Sequence, residues 1–388
     1  MAAERFHIHV SDEVLDDLQY RLHHIRWPDQ LENAGWERGT DLSYLKSLVS
    51  YWRDHYDWRA QESKLNRFSQ YRCHIDGIHV HFVHERGKGP DPLPIILTHG
   101  WPDSYLRYQK MIPLLTDPAS YGGNPEDSFD VIVPSLPGFG FSSRPNRPGV
   151  NNFFVSQMWS KLVTKELGYK KIAAAGGDIG SGVTRYLASN YPELLFGIHL
   201  TDVGIVRSLM ASLDKPEVSE EELIYKKNAS EWILQEGGYM SIQSTKPQTL
   251  AYGLSDSPVG LAAWIIEKFR AWSDCQGDLN QKYSKDELLT HIMIYWVTNT
   301  IGSSTRMYYE NSHSLPPLGR IEVPTGMAIF PEDILLPPKS WAVRNLNVTR
   351  WTTMPSGGHF TAMEEPELLA NDIREFYRPI RKKNNHSE

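Results

Sequence analysis

Cysteine is scarce: only Cys73 and Cys275 occur in 388 residues, far apart in the chain. No C-x-x-C pair and no zinc-ligand spacing exists, which excludes a disulfide framework and leaves at most one bridge. Both read as reduced thiols. Long apolar runs are also missing. None approaches the roughly 18–20 residues that a membrane span requires, and Met1-Ala-Ala-Glu-Arg-Phe has no apolar signal core. A soluble, cytoplasmic chain without a membrane anchor is expected. Basic clusters are absent apart from Arg381-Lys382-Lys383, and the formal net charge is −7, so nucleic acid is not an expected partner. There are no repeats and no low-complexity tract. No G-x-G-x-x-G fingerprint and no G-x-S-x-G elbow occurs, and His99 has no partner histidine at ligand spacing. Neither a cofactor nor a metal is expected.

What is present is an ordinary globular composition, 40% hydrophobic and 22% charged. The length suits one large α/β domain with an insertion as well as two small domains. Up to about residue 70 no strand series is visible. Ser11 can cap a helix through Val14, Leu15, Leu18 and Leu22, and a second helix is expected over Leu42–Trp58. Trp27, Trp36, Trp52 and Trp58 read as residues that pack this stretch onto another surface. A hairpin follows, with Asp76-Gly77 between Tyr71-Arg-Cys-His-Ile and Ile78-His-Val-His-Phe-Val. Six apolar runs then read as buried parallel strands: Pro94–Thr98, Phe129–Pro134, Lys171–Ala175, Leu195–Leu200, Thr325–Phe330 and Val348–Met354. They alternate with helical stretches at Leu106–Leu115, Phe154–Leu167, Val183–Asn190 and Pro366–Tyr377. This predicts a mostly parallel sheet with helices on both faces. The alternation breaks over 205–318, a helical segment rich in Trp and Tyr. The expected organisation is an N-terminal meander with the first strands (1–92), a first core half (93–204), a helical cap (205–318) and a second core half (319–388).

Four motifs carry the chemistry. Gly176-Gly177-Asp178-Ile179-Gly180-Ser181-Gly182 follows a strand and precedes a helix, the context of a nucleophile elbow, with Asp in the nucleophile slot. Small neighbours are needed because that turn is strained. The bland alternative is a Gly-rich turn with Asp178 as a helix N-cap. His99-Gly-Trp-Pro ends an earlier strand and nominates the backbone N–H of Trp101, together with that of Ile179, as an oxyanion hole. Gly357-Gly-His359-Phe follows the last strand, where a base would stand. Phe330-Pro-Glu332-Asp333 supplies an acid to orient it, with both carboxylates as candidates. The order nucleophile, acid, histidine is that of the α/β-hydrolase fold.

An aspartate, with a reference pKa of about 3.9, is already ionised at neutral pH and can attack an sp³ carbon directly. His359 is then free to activate water against the resulting ester. If His359 must be neutral, hydrolysis should fall as pH drops through its pKa, near 6.5 if unperturbed. Displacement at carbon means epoxide opening or dehalogenation. An opening epoxide needs a proton donor, and tyrosine remains protonated at pH 7. The cap offers Tyr239, Tyr252, Tyr295, Tyr308 and Tyr309, each of which also has a packing explanation. The residue after Asp178 is isoleucine, not a tryptophan that could hold a halide.

With these motifs in place, the chain resembles the epoxide hydrolases of the microsomal-like and fungal soluble group. The likeness is carried by Trp27-Pro-Asp, His99-Gly-Trp-Pro, Pro137-Gly-Phe-Gly-Phe-Ser, Gly177-Asp-Ile-Gly-Ser, Phe330-Pro-Glu-Asp and Gly358-His-Phe. Lys246-Pro-Gln-Thr and Asp256-Ser-Pro-Val-Gly-Leu-Ala-Ala-Trp-Ile also fit. The resemblance implies Asp178 as nucleophile, His359 as base, Asp333 as its acid, and Tyr239 and Tyr308 as holders of the epoxide oxygen. It further implies a cis Trp101–Pro102 bond and a small-molecule epoxide and water as partners. The aromatic cap suggests an apolar or aromatic epoxide. A haloalkane or haloacid dehalogenase and a non-enzymatic ligand-binding protein are the competing readings. A homodimer stays open.

Overall fold

The computed structural model describes residues 3–203 and 219–384. One nine-stranded sheet organises the chain: β1 (Glu4–Arg5), β2 (Gln70–Ile75), β3 (Ile78–Glu85), β4 (Leu93–Thr98), β5 (Phe129–Pro134), β6 (Ile172–Gly176), β7 (Leu195–Leu200), β8 (Ile321–Ile329) and β9 (Leu346–Thr353). Their order is β1-β2-β3-β5-β4-β6-β7-β8-β9. The first three strands and the β3–β5 pair run antiparallel, and all pairs from β5 to β9 are parallel. Every residue of β5 and β6 is buried, because helices cover both faces of the sheet centre. This is the α/β-hydrolase fold.

The hairpin turn falls where the sequence puts it. Asp76 and Gly77 both take positive φ, 50° and 83°, as a tight two-residue turn demands. Elsewhere the elements depart from the sequence expectation. The expected helix over residues 42–58 is two helices, Leu42–Asp54 and Trp58–Leu65. The Asp57 carboxylate accepts from Ala60 N at 3.1 Å and so starts a new helix. A short edge strand, Glu4–Arg5, pairs with Arg72 and Tyr71, where no strand was expected; two residues carry no local pattern to read. The stretch around 106–115 is a 3₁₀ turn, Tyr105–Tyr108, followed by the short helix Met111–Thr116. The helix after β6 begins at Ile179, directly behind Asp178.

Helices from Glu220–Glu236 to Ile301–Ser314 intervene between β7 and β8. The expected start of this insertion at residue 205 lies outside the described residues. The N-terminal segment straddles it: Arg21 pairs with Asp256 at 2.9 Å, Thr40 donates to Ala263 O at 2.7 Å, and Tyr51 donates to Asp286 at 3.0 Å. Trp52 and Trp58 are buried, and the Arg270 guanidinium lies 4.7 Å over the Trp36 ring. Cys73 and Cys275 are buried and free, which removes the single disulfide left open above. Among the described residues no helix is long and apolar enough to cross a membrane.

Candidate active site

The carboxyl ends of the central parallel strands converge at one place. β4 leads into His99-Gly-Trp-Pro, β6 into Asp178, β7 into Asp202, β8 into Asp333 and β9 into His359. Open α/β sheets bind ligands at this edge.

Asp178 sits in the turn between β6 and the helix Ile179–Asn190 with φ 56° and ψ −129°. For a residue with a Cβ such a backbone costs on the order of 1–3 kcal/mol and requires its surroundings to enforce it. They do: Asp178 N donates to Asp202 Oδ2 at 2.6 Å. The carboxylate caps no helix N–H. Instead its Oδ1 accepts from Trp101 N at 2.8 Å. Gly100 makes room for this, since any Cβ there would collide with the Asp178 carboxylate. The Trp101–Pro102 bond is cis. Ile179, whose N–H is the second nominated oxyanion donor, is buried at the start of the helix.

His359 is 3% exposed. Its Nδ1 lies 2.8 Å from Asp333 Oδ1, and its Nε2 lies 3.6 Å from Asp178 Oδ2 with no hydrogen-bond partner. Glu332 is exposed, and only its backbone bridges to the histidine loop. Burial disfavours the imidazolium, but the Asp333 and Asp178 carboxylates outweigh it and raise the His359 pKa to about 10. The ordinary value near 6.5 assumed from sequence therefore does not hold for the resting site.

The tyrosines of the helical insertion separate cleanly. Tyr252 is exposed, and Tyr309, also at the surface but more than half covered, stacks on His313 at 4.0 Å. Tyr295 is buried with its hydroxyl donated to Asp103 O at 2.7 Å. Tyr239 and Tyr308 meet at the site, with ring centroids 6.0 Å apart and both against Trp101, at 5.4 Å stacked and 5.8 Å edge-on. Burial first, and then for both the Asp178 charge among other neighbours, holds both phenols well above the usual tyrosine range. Trp272 completes the aromatic wall, 5.4 Å from the His359 ring.

Sequence reading missed Asp202 and Glu364. Burial, reinforced by Asp333, raises the Asp202 pKa to about 6, with Arg185 opposing. Its position just beyond β7 was the available signal. Glu364 accepts from Asp274 N, Gly358 N and Phe360 N at 2.7, 3.0 and 2.9 Å. A cavity of about 990 Å³ lies between the N-terminal segment and the helix Pro258–Trp272, lined by Trp27, Leu31 and Trp264 among others. None of Asp178, Asp333, His359, Tyr239 or Tyr308 lines it.

Comparison with known proteins decides the family. Residues 3–108 match the family described as epoxide hydrolase N terminus, and residues 94–236 match the alpha/beta hydrolase fold. The chain is 38% identical to epoxide hydrolase 1 of Oryctolagus cuniculus, over 96% of this chain and 88% of that one. This chain belongs to the epoxide hydrolase family. An epoxide hydrolase acts on small-molecule epoxides and water, and in this family the attack generally comes from an aspartate. The epoxide hydrolase is also 44% identical to a Stigmatella aurantiaca protein provisionally assigned the same activity, over 97% of this chain and 85% of that one. Its structure superposes on the crystal structure of the juvenile hormone epoxide hydrolase of Bombyx mori with TM-score 0.85, at 30% identity, covering 98% of this chain and 94% of that one. The dehalogenase and binding-protein readings are not favoured.

Proposed function

We propose that Asp178 opens the epoxide and that His359 activates water against the ester so formed. The observation that carries this reading is the unequal engagement of the two Asp178 oxygens. Oδ1 is held by the Trp101 N–H, while Oδ2 lies 3.6 Å from His359 Nε2, too long for a hydrogen bond. Oδ2 attacks a ring carbon, the C–O bond breaks, and the electron pair leaves on the epoxide oxygen. Tyr239 and Tyr308 hold that oxygen, and one of them protonates it. Oδ1 becomes the ester carbonyl oxygen, already on the Trp101 N–H, with the Ile179 N–H as the second donor of the proposed oxyanion hole.

Ester formation removes one of the two anions that keep His359 protonated. The pKa of His359 then falls, and Nε2 becomes a base only when there is an ester to hydrolyse. Water gives its proton to Nε2 and attacks the carbonyl carbon. The tetrahedral intermediate collapses as the alkyl oxygen leaves and takes the proton back from His359 Nε2, and the acid proton left on Asp178 returns to the tyrosine that gave its own, so that diol and the Asp178 carboxylate result. Asp333 orients the ring throughout. The aromatic wall of Trp101, Tyr239, Tyr308 and Trp272 favours an apolar or aromatic epoxide, and a role in detoxifying such compounds follows. Free, buried Cys73 and Cys275 suit a reducing cytoplasm. The helical insertion serves as the cap, since it brings both tyrosines.

His359→Gln enzyme mixed with styrene oxide should accumulate one added substrate mass on the Asp178 peptide, with ester hydrolysis slowed about 100- to 10,000-fold. An unmodified peptide would rule the covalent route out. A second expectation concerns protonation. The raised pKa means that the proton on His359 stabilises the fold fully below about pH 6.5, and that this contribution is lost as pH rises through about 10. Imidazole NMR of the resting enzyme should show His359 still protonated at pH 8, with its titration moving to lower pH in Asp178→Ala. A resting titration near 6.5 would contradict the two-anion account.

A further inference from the structure

We infer that the buried Asp103–Arg107 ion pair is a positioning device that locks the oxyanion turn and the His359 loop into one register. The inference rests on the assignment of Asp178 and His359 above. Asp103 and Arg107 are 0% and 2% exposed. Asp103 Oδ1 accepts from Gly100 N at 2.9 Å, the residue just before the oxyanion donor Trp101. Asp103 Oδ2 accepts from Arg107 Nη1 at 2.6 Å, and Arg107 Nη2 donates to the His359 carbonyl at 2.7 Å. The guanidinium also lies against the elbow, since a Cβ on Gly177 would stand 3.1 Å from Nη2. One planar fork thus reaches the three segments that carry the oxyanion donor, the nucleophile and the base.

Stability is a poor explanation for such a pair. Removing two charges from water is costly, and the attraction between them often does no more than offset it. Arg107 Nε is moreover buried without a partner. What the pair does supply is geometry, because the fork fixes two acceptors at once as a point charge cannot. The two groups it aligns, the Trp101 N–H and the His359 ring, act together only in ester hydrolysis. Ester formation uses the Trp101 N–H only to hold Asp178 Oδ1 and does not need the His359 ring aligned with it, so it depends on that joint alignment less.

The test is to measure the two half-reactions separately in Arg107→Lys, which keeps the charge near Asp178 but loses the fork. With styrene oxide under rapid quench, ester formation should stay within about 3-fold of wild type. Ester hydrolysis should slow about 10- to 100-fold, as expected for a misplacement near 1 Å, so that the ester becomes the main steady-state form. Tyr295→Phe, which releases Asp103 O while leaving both charges in place, should show a smaller change in the same direction and serves if Arg107→Lys does not fold. Equal slowing of both steps, or no change in either, would overturn the proposal. Failure of His359→Gln to trap any ester would instead overturn the residue assignments beneath it, which separates the two failures.

Discussion

Asp178→Ala enzyme should form diol from styrene oxide on the order of 10⁵–10⁶ times more slowly than wild type. Losses of this size follow removal of a covalent nucleophile whose partners cannot act without it. Here the dependence is direct. Without the Asp178 carboxylate there is no ester, and the Trp101 N–H, Ile179 N–H and His359 have nothing to act on. The backbone at position 178 is strained whatever non-glycine residue sits there, so alanine adds no backbone penalty; it does remove the acceptor of the Trp101 N–H and one of the anions that hold the His359 proton, and the variant should fold with a lowered melting temperature. A thermal melt together with a diol assay checks both halves. Turnover comparable with wild type in a folded Asp178→Ala protein would mean that water opens the epoxide directly.

Replacing both cap tyrosines should nearly abolish the first half-reaction while leaving the second alone. Tyr239→Phe and Tyr308→Phe should each slow ester formation about 10- to 100-fold, and the double variant about 10,000-fold. The inequality has a physical origin. One remaining phenol can still donate to the opening oxygen, whereas the loss of both leaves a developing alkoxide in a buried site with no donor. Burial keeps both phenols protonated well beyond neutral pH, so the effect should not depend on pH between 6 and 8. Rapid-quench detection of the Asp178 ester reads the step directly. An unchanged rate of ester formation in the double variant would remove both residues from the mechanism.

The sequence made some of this legible and hid the rest for identifiable reasons. The elbow around Asp178, the His99-Gly-Trp-Pro turn and the Gly358-His-Phe loop are contiguous, and each follows an apolar strand, so local pattern sufficed. Family resemblance singled out Asp333 and the two tyrosines among neighbours that composition could not separate. The Asp333 contact with His359 and the solvent-facing position of Glu332 give that choice a geometric basis. The Asp103–Arg107 pair was invisible because its partner carbonyl on His359 is 252 residues away, and charged residues in sequence read as surface. Glu364 was missed because a charged residue in sequence reads as surface, although two of its partners lie only 4 and 6 residues away. The break between Asp54 and Trp58 depended on an N-cap that interrupts a helical pattern continuous in the sequence. The resting protonation of His359 could not be foreseen either, since it comes from two anions that only the fold brings to one ring.

The way the N-terminal segment straddles the insertion bears on how this protein could be divided or rearranged. Residues 21, 40 and 51 are tied to residues 256, 263 and 286, and the N-terminal family match runs on to residue 108, past Trp101. The conventional picture of a catalytic scaffold carrying a detachable lid therefore has no seam here along which to cut. A chain beginning near residue 70 would not be a smaller enzyme: it would lose the strap tied to the helices Pro247–Asp256, Pro258–Trp272 and Lys285–Thr298, which lie between those that carry Tyr239 and Tyr308. In modular terms the first hundred residues are as much a component of the reaction chamber as the sheet itself, and lid exchange between relatives would have to carry them along.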